Sequence, residues 1–403
     1  MVSIPLAQRM NSLAGSPASL MRRKVQELRT SGREIFDLSS GDLEFATADH
    51  VIKAMHRAAL QGQTKYTNVD GTPELKAEVR RKFERRNGLR YGNDEVMVCN
   101  GSTQAVFEAL FATVSAGDEV LIPAPYWSQY LNQARLAGAA PVVVACSQNE
   151  GFKLRPEALR SAIGARTRWL ILNNPVNPSG AVYSRAELAD LAKVLLEYPS
   201  VWILEDTLYE DIVFDGSLSH AIAAVEPLLK SRTLVVGGVA KSYAMMGFRL
   251  GYAGGPRHLI RAMAKIQSQT TSCASSMSQA AAVAALSGPQ DLVAEQISVL
   301  AENRSYIVSR INGCFGLACT PPQGTFYLLV SCAGALGRSG PDGVRIDTDR
   351  KFADYLLDQA GVAVGAGGDF GLSPYVRASF GVSRAVLEQA VSRIHRACAA
   401  LVL

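Results

Sequence analysis

Between residues 95 and 255, short apolar runs alternate with stretches of helical periodicity. The run Val96–Cys99 gives way to Asn100-Gly101 and then to a helical pattern over 102–114. Further apolar runs lie at 119–122, 141–144, 169–172, 201–204, 233–236 and 250–253. Runs of this length bounded by turn residues predict strands buried on both faces, as in a mostly parallel sheet between helices. Ligands of such sheets bind at the carboxyl ends of the strands. The chemically active residues are therefore expected immediately after these runs.

Beyond residue 255 the pattern changes. Two long helical stretches, 256–286 and 290–312, are separated by Ser287-Gly288-Pro289. Short strands are predicted near 326–330 and 375–380, and a last helix over 384–401. A helical stretch near 19–31 has no place in the parallel sheet and is expected to pack with this later part. The chain thus reads as α/β, with a large domain at 46–285 and a smaller α+β domain built from both ends, 1–45 and 286–403. There is no internal repeat and no low-complexity linker.

Composition narrows the class. The 403 residues are 48% hydrophobic and 19% charged, which excludes a disordered chain. A formal net charge of +5 over this length gives no argument for nucleic-acid binding. The basic stretch Arg80, Arg81, Lys82, Arg85, Arg86 is interleaved with Glu78 and Glu84 and reads as a solvated amphipathic helix. No signal peptide is visible, and the most apolar segment, 280–286, is too short to span a bilayer. Seven cysteines without a Cys-x-x-Cys pair, and five scattered histidines, predict a reduced, cytoplasmic protein with no structural metal.

The candidate chemistry sits where the sheet argument puts it. Lys241 follows the run 233–236, and Arg249 lies eight positions on. A lysine that can form an imine, beside an arginine that can bind a phosphate bidentately, suits an aldehyde cofactor carrying a phosphate, namely pyridoxal phosphate. Asp206 and Tyr209 follow the run 201–204. A carboxylate there can hold a pyridine nitrogen protonated and a tyrosine can bind a phenolic oxygen, although a helix cap and rim packing would place the same residues. Asn173-Asn174-Pro175-Val176-Asn177-Pro178-Ser179-Gly180 fixes a loop after 169–172 and presents Asn177. Gly101, Ser102 and Thr103 open a helix and suit an anion, or serve as a plain cap. Trp127 offers a stacking face or ordinary packing. Arg377, inside an alternating strand pattern, needs an anion: a substrate carboxylate or a structural ion pair.

Together these residues resemble the class I/II aminotransferases of pyridoxal-phosphate fold-type I, in the branch that includes bacterial aspartate aminotransferases. The resemblance runs from Gly41-Asp42-Leu43-Glu44-Phe45 through Lys65-Tyr66-Thr67, Pro123-Ala124-Pro125-Tyr126-Trp127, Asn177-Pro178-Ser179-Gly180 and 206–209 to 241–251, 365–370 and Arg377. It implies an amino acid:2-oxo acid aminotransferase working by ping-pong transfer through pyridoxamine phosphate. It makes Lys241 the Schiff-base residue and proton carrier. Asp206 becomes the partner of the ring nitrogen, Asn177 and Tyr209 the ligands of the phenolic oxygen, and Trp127 the stacking residue. Gly101, Ser102, Thr103 and Arg249 hold the phosphate, and Arg377 with Gly41 holds the substrate α-carboxylate. Tyr66 is expected to reach the phosphate of a neighbouring subunit, which implies a homodimer with shared active sites.

The departures bear on the substrate. Ala240 stands where many relatives have a hydroxyl residue, and Thr103 where aspartate-acting relatives commonly have a lysine for the distal carboxylate. With Phe45, Met245, Met246, Tyr327 and Phe370 as a candidate apolar pocket, the expectation is an apolar or aromatic amino acid rather than aspartate. The alternatives are an aspartate aminotransferase whose distal-carboxylate site lacks a lysine, and a fold-type I lyase acting at Cβ or Cγ. A non-catalytic effector domain of a transcription regulator would need an N-terminal DNA-binding domain, for which the segment before Gly41 leaves no room.

Overall fold

The computed structural model describes residues 6–13 and 15–403. Its central sheet has seven strands: β1 (Val96–Cys99), β2 (Glu119–Ala124), β3 (Ala140–Ala145), β4 (Thr167–Asn173), β5 (Trp202–Asp206), β6 (Thr233–Gly238) and β7 (Gly251–Gly254). Their order is β1-β7-β6-β5-β4-β2-β3. Strands β2 to β6 pair in parallel, and β7 runs antiparallel to both its neighbours. The reversal has a local cause. A parallel return needs a crossover, usually a helix, and the segment 239–250 holds only the Lys241 turn and one short 3-10 turn, Met246–Phe248.

Alternate residues of the central strands feed two cores. Met97 of β1 and Val236 of β6 join one hydrophobic cluster, while Val98 and Val235 join another on the opposite face. This is why the runs are apolar throughout. β3 is the exception, with Val143 46% exposed; it is the less covered of the two edge strands, since β1 at the other edge is buried throughout.

The predicted stretch 256–286 divides into two helices, Arg257–Thr270 and Ser276–Ser287. The chain turns at Ser272, which takes a left-handed φ of 64°, and the Ser275 hydroxyl caps the second helix. The helix Asp291–Ile311 follows, and a four-stranded antiparallel sheet holds Gly365–Ala366, Tyr375–Ser379, Tyr327–Ser331 and Ala318–Cys319. The first helix, Pro17–Thr30, is capped by Ser16 with proline at its first turn. It packs through Met21 and Val25 on Ile35, Leu357 and Ala363.

Arg80, Arg81 and Arg85 of the basic stretch are exposed as a solvated face requires, and one residue departs from expectation. The helix Pro73–Lys82 continues into a π-helical turn, Phe83–Asn87, and Lys82 is 4% exposed rather than solvated. Glu210 and Asp211 receive it, a burial that single-sequence charge patterning does not reveal. No helix among the described residues is long and apolar enough to cross a membrane.

One buried group predicts a pH effect on stability. Glu205 in β5 points away from the side taken by Asp206, and both its oxygens accept from the Ile222 N–H at 3.0 Å. Burial pushes its carboxyl from 4.5 up to about 8, the Ile222 amide opposing and the Glu210 charge adding. A carboxyl raised in the fold contributes stability that is complete below its unfolded pKa and lost as pH rises through the folded one. The slope is about −1.4 kcal/mol per pH unit between the two. Glu205→Gln removes the titration. Its melting temperature should therefore gain on the wild type from about pH 5 to about pH 8, and parallel melting profiles would refute the assignment.

Candidate active site

Strands β4, β5 and β6 deliver their carboxyl ends to one cavity of about 300 Å³, within the size range of small-ligand sites. Gly41, Gly101, Ser102, Thr103, Trp127, Asn177, Asp206, Tyr209, Lys241, Arg249 and Arg377 all line it. Tyr66 does not. It lies outside the cavity with 89% of its surface exposed.

Lys241 leaves the turn after β6 and donates from Nζ to the Gly41 carbonyl at 2.7 Å. Its hydrogen-bond partner is thus a neutral carbonyl, which leaves the amine free for exchange. Asp206 ends β5 and is buried, accepting from the Tyr130 hydroxyl and, at 3.1 Å, from the Leu208 N–H. Burial pushes its carboxyl up, and those two donors offset part of the rise. Asn173, one strand over, donates to the Asp206 carbonyl at 2.9 Å and accepts the Asn177 N–H at 2.7 Å. That pair of bonds fixes the loop carrying Asn177. Tyr209 is buried with its hydroxyl 3.2 Å from that of Tyr327.

The anion cradle is built by backbone freedom. Gly101 has a φ of 85°, and a Cβ there would meet the Arg249 guanidinium at 2.7 Å. Gly251 lies so close to the next turn that a Cβ would fall 2.2 Å from the Ser102 nitrogen. Two glycines therefore let Arg249 and the N-terminus of the helix Ser102–Thr113 share one point.

Arg377 sits 5% exposed, its guanidinium between the rings of Tyr327 (4.2 Å) and Phe370 (4.6 Å). It donates to Asn177 Oδ1 at 3.1 Å and to the Ser39 carbonyl at 2.7 Å, and among the described residues its Nε has no partner. Among the described residues no carboxylate pairs with it, so the structural ion pair is excluded. An unpaired buried guanidinium is costly unless an anion reaches it.

Sequence reasoning missed Tyr130, Asn173 and two rim arginines, Arg22 and Arg350. Arg22 pairs with Asp42 at 2.9 Å and Arg350 pairs with Asp369, and all four line the cavity. Tyr130 lies three residues beyond Trp127, and their rings meet edge to face at 5.2 Å. The turn leading into the helix Gln129–Ala137, closed by the Tyr130 N–H on the Trp127 carbonyl at 3.1 Å, brings that pair together.

The donor set fits pyridoxal phosphate. A free amine, a buried carboxylate facing the same space and a helix-end cradle with an arginine answer an aldehyde, a basic ring nitrogen and a phosphate. The fold and site define a pyridoxal-phosphate enzyme of fold-type I. The family described as "Aminotransferase class I and II" matches residues 33–394. The chain is 48% identical over 392 residues to an aspartate aminotransferase of Rhizobium meliloti strain 1021, covering 97% of this chain and 96% of that one. A crystal structure of the Rhizobium meliloti aspartate aminotransferase superposes with a TM-score of 0.96 at 47% identity, covering 99% and 100% of the two chains. The Thermus thermophilus aspartate aminotransferase with maleate superposes with 0.91 at 34%, covering 98% and 100%. This chain belongs to the class I and II aminotransferases, in the aspartate-aminotransferase-like branch, and uses pyridoxal 5'-phosphate.

The expectation of an apolar or aromatic substrate in place of aspartate is overturned, and so is the lyase alternative: these relatives are aspartate aminotransferases. The geometry gives the physical reason. Met245 is wholly buried in one of the two cores flanking the central sheet, and Phe45 packs against a separate core that holds Leu38, Leu300 and Phe380. Tyr327 and Phe370 turn their faces to Arg377. Met246 lines the cavity but packs against the same core as Phe45, so the five do not form an apolar substrate pocket.

Proposed function

We propose that this enzyme transfers the amino group between aspartate, or another dicarboxylic amino acid, and a 2-oxo acid in a ping-pong cycle. The observation that carries the substrate reading is the two rim arginines, each held in an exchangeable ion pair. After Lys241, Arg249 and Arg377 have their roles, Arg22 and Arg350 still line the cavity. Their ion pairs are partly exposed, and exposed pairs exchange at little cost. They supply the charge that a lysine at position 103 would otherwise bring.

Bound pyridoxal phosphate supplies an aldehyde and a ring that delocalises the electrons left at the substrate Cα. Lys241 Nζ, lining the cavity beside Gly41, would be the base that takes and returns the substrate proton once the cofactor is bound. Asp206, held by Tyr130 and the Leu208 amide, keeps the ring nitrogen protonated. Arg377 and the Gly41 backbone take the α-carboxylate. Because Asn177 accepts from Arg377 through Oδ1, its Nδ2 is left to donate to the phenolic oxygen, with Tyr209 as second donor. Gly101, Ser102, Thr103 and Arg249 hold the phosphate, and Trp127 covers the ring.

Exposed Tyr66 is explained by a homodimer in which it reaches the neighbour's phosphate. Seven free cysteines, five of them buried, support a reducing, cytoplasmic setting. We divide the chain at 46–285 against 1–45 with 286–403. The hydrophobic cluster joining Leu38 and Leu43 to Leu300, Phe352 and Leu387 supports that division.

An amino-donor comparison with 2-oxoglutarate tests the reading. One extra charge-assisted contact should favour aspartate over alanine by at least about tenfold in kcat/KM. The double variant R22A/R350A should lose that margin while its rate with alanine stays within about twofold. A wild-type preference for alanine or phenylalanine would refute the dicarboxylate reading. The active protein should elute at twice the mass of one chain.

A further inference from the structure

Beneath the cavity lies a buried ionic cluster that the mechanism above leaves unused. Lys82 Nζ is 3.0 Å from Glu210 Oε1 and 2.9 Å from Asp211 Oδ2. Arg86, one turn further along the helix, donates from Nε to Asp211 Oδ1 at 3.1 Å and bonds the Glu210 carbonyl. Asn87 donates to the second Glu210 oxygen. Ser242 completes the cluster, donating from Oγ to Asp211 Oδ2 at 2.8 Å. The π-helical turn Phe83–Asn87, closed by Gly88 at a φ of 68°, carries Arg86 and Asn87 to the same carboxylates as Lys82. Such turns recur at functional sites.

Stability alone is a poor reason for this cluster. Two cations and two carboxylates are taken from water, and the desolvation cost offsets most of their attraction. What the cluster achieves is geometric. Glu210 and Asp211 directly follow Tyr209, and Ser242 directly follows Lys241. The two turns leave neighbouring strands, β5 and β6. Ala240, on the other side of Lys241, has no group that could hold the turn by a side-chain hydrogen bond.

We propose that Ser242 and Asp211 are positioning residues for Lys241. Their hydrogen bond, anchored by Lys82, fixes the lysine turn against the turn that carries Tyr209. The inference rests on the roles given above to Lys241 and Tyr209. Asp211 stays charged and so remains a strong acceptor for Ser242. Burial alone would raise its carboxyl, but Lys82, Ser242 and Arg86 hold it down at about 2.

The test uses the holoenzyme and the variants S242A, S242T, D211N and S242A/D211N. Each is followed by the pH midpoint of the bound cofactor's visible absorbance, by kcat and KM for the amino donor, and by melting temperature. S242A and D211N should each move the midpoint by about half a unit or more. They should lower kcat about tenfold with KM changed less than about twofold, since misplacing a reacting group costs turnover more than binding. The double variant should be no worse than either single one, as expected for two groups acting through one bond. S242T, which keeps the hydroxyl, should restore midpoint and kcat. Wild-type midpoints and kcat with only a lowered melting temperature would make the cluster purely structural and overturn the proposal. So would an S242T as impaired as S242A, and that comparison decides even where D211N does not fold. A wild-type enzyme whose visible band did not depend on Lys241 would overturn the role of Lys241 itself, and this proposal with it.

Discussion

Lys241→Ala should lower transamination by at least about 10⁴-fold, because one side chain is both the covalent attachment and the proton carrier. The loss should fall on kcat, while the cavity that binds the amino acid stays intact. Among the described residues Lys241 Nζ has only the Gly41 carbonyl as a hydrogen-bond partner, so its removal leaves no carboxylate without its cation. The variant should fold with a melting temperature near that of the wild type. Lys241→Arg should fail as well. It retains the charge, but a guanidinium stays protonated and cannot attack a carbonyl. Single-turnover absorbance with aspartate provides the measurement. A K241A protein that converts its cofactor within about tenfold of the wild-type rate would remove Lys241 from the chemistry.

Much of this site was legible because strand ends can be read from sequence. Apolar runs buried on both faces are distinctive, and the rule that ligands sit at their carboxyl ends picked out Asp206, Lys241, Asn177 and Gly101 before any contact was known. The reversal of β7 was not legible, since an apolar tetrapeptide carries no direction. Its direction follows from the absence of a crossover helix between Lys241 and Leu250, a matter of length and turn geometry. Lys82 misled for a related reason: charge alternation along a helix looks solvated unless the opposite charges on a distant loop are known. The substrate was misread at the level of single side chains. Met245 and Phe45 are apolar in sequence whether they face a ligand or a core, and only packing distinguishes the two. Arg22 and Arg350 gave no sequence signal because they come from separate helices, Pro17–Thr30 and Asp349–Tyr355, that meet over the cavity only in three dimensions.

Arg377→Ala should reduce kcat/KM about 10³-fold for amino donor and 2-oxo acid alike, a loss of ~4 kcal/mol, in the range found when one partner of a buried charge pair is removed. Both half-reactions are affected because both substrates carry the same α-carboxylate. The magnitude follows from the setting. The guanidinium is sandwiched between Tyr327 and Phe370, away from water, and is aimed by Asn177 and the Ser39 carbonyl, so the incoming carboxylate meets an oriented fork. Arg377→Lys should recover little of the loss. An ammonium keeps the charge but loses the planar stack and the bidentate geometry. The melting temperature of the substrate-free protein separates this role from a structural one. No carboxylate among the described residues pairs with Arg377, so deleting it breaks no ion pair there, and the variant should melt close to the wild type. Added aspartate should then raise the wild-type melting temperature and leave that of R377A nearly unchanged. A steep fall in stability with substrate affinity intact would identify Arg377 as a structural residue and reassign the α-carboxylate to another cation of the cavity.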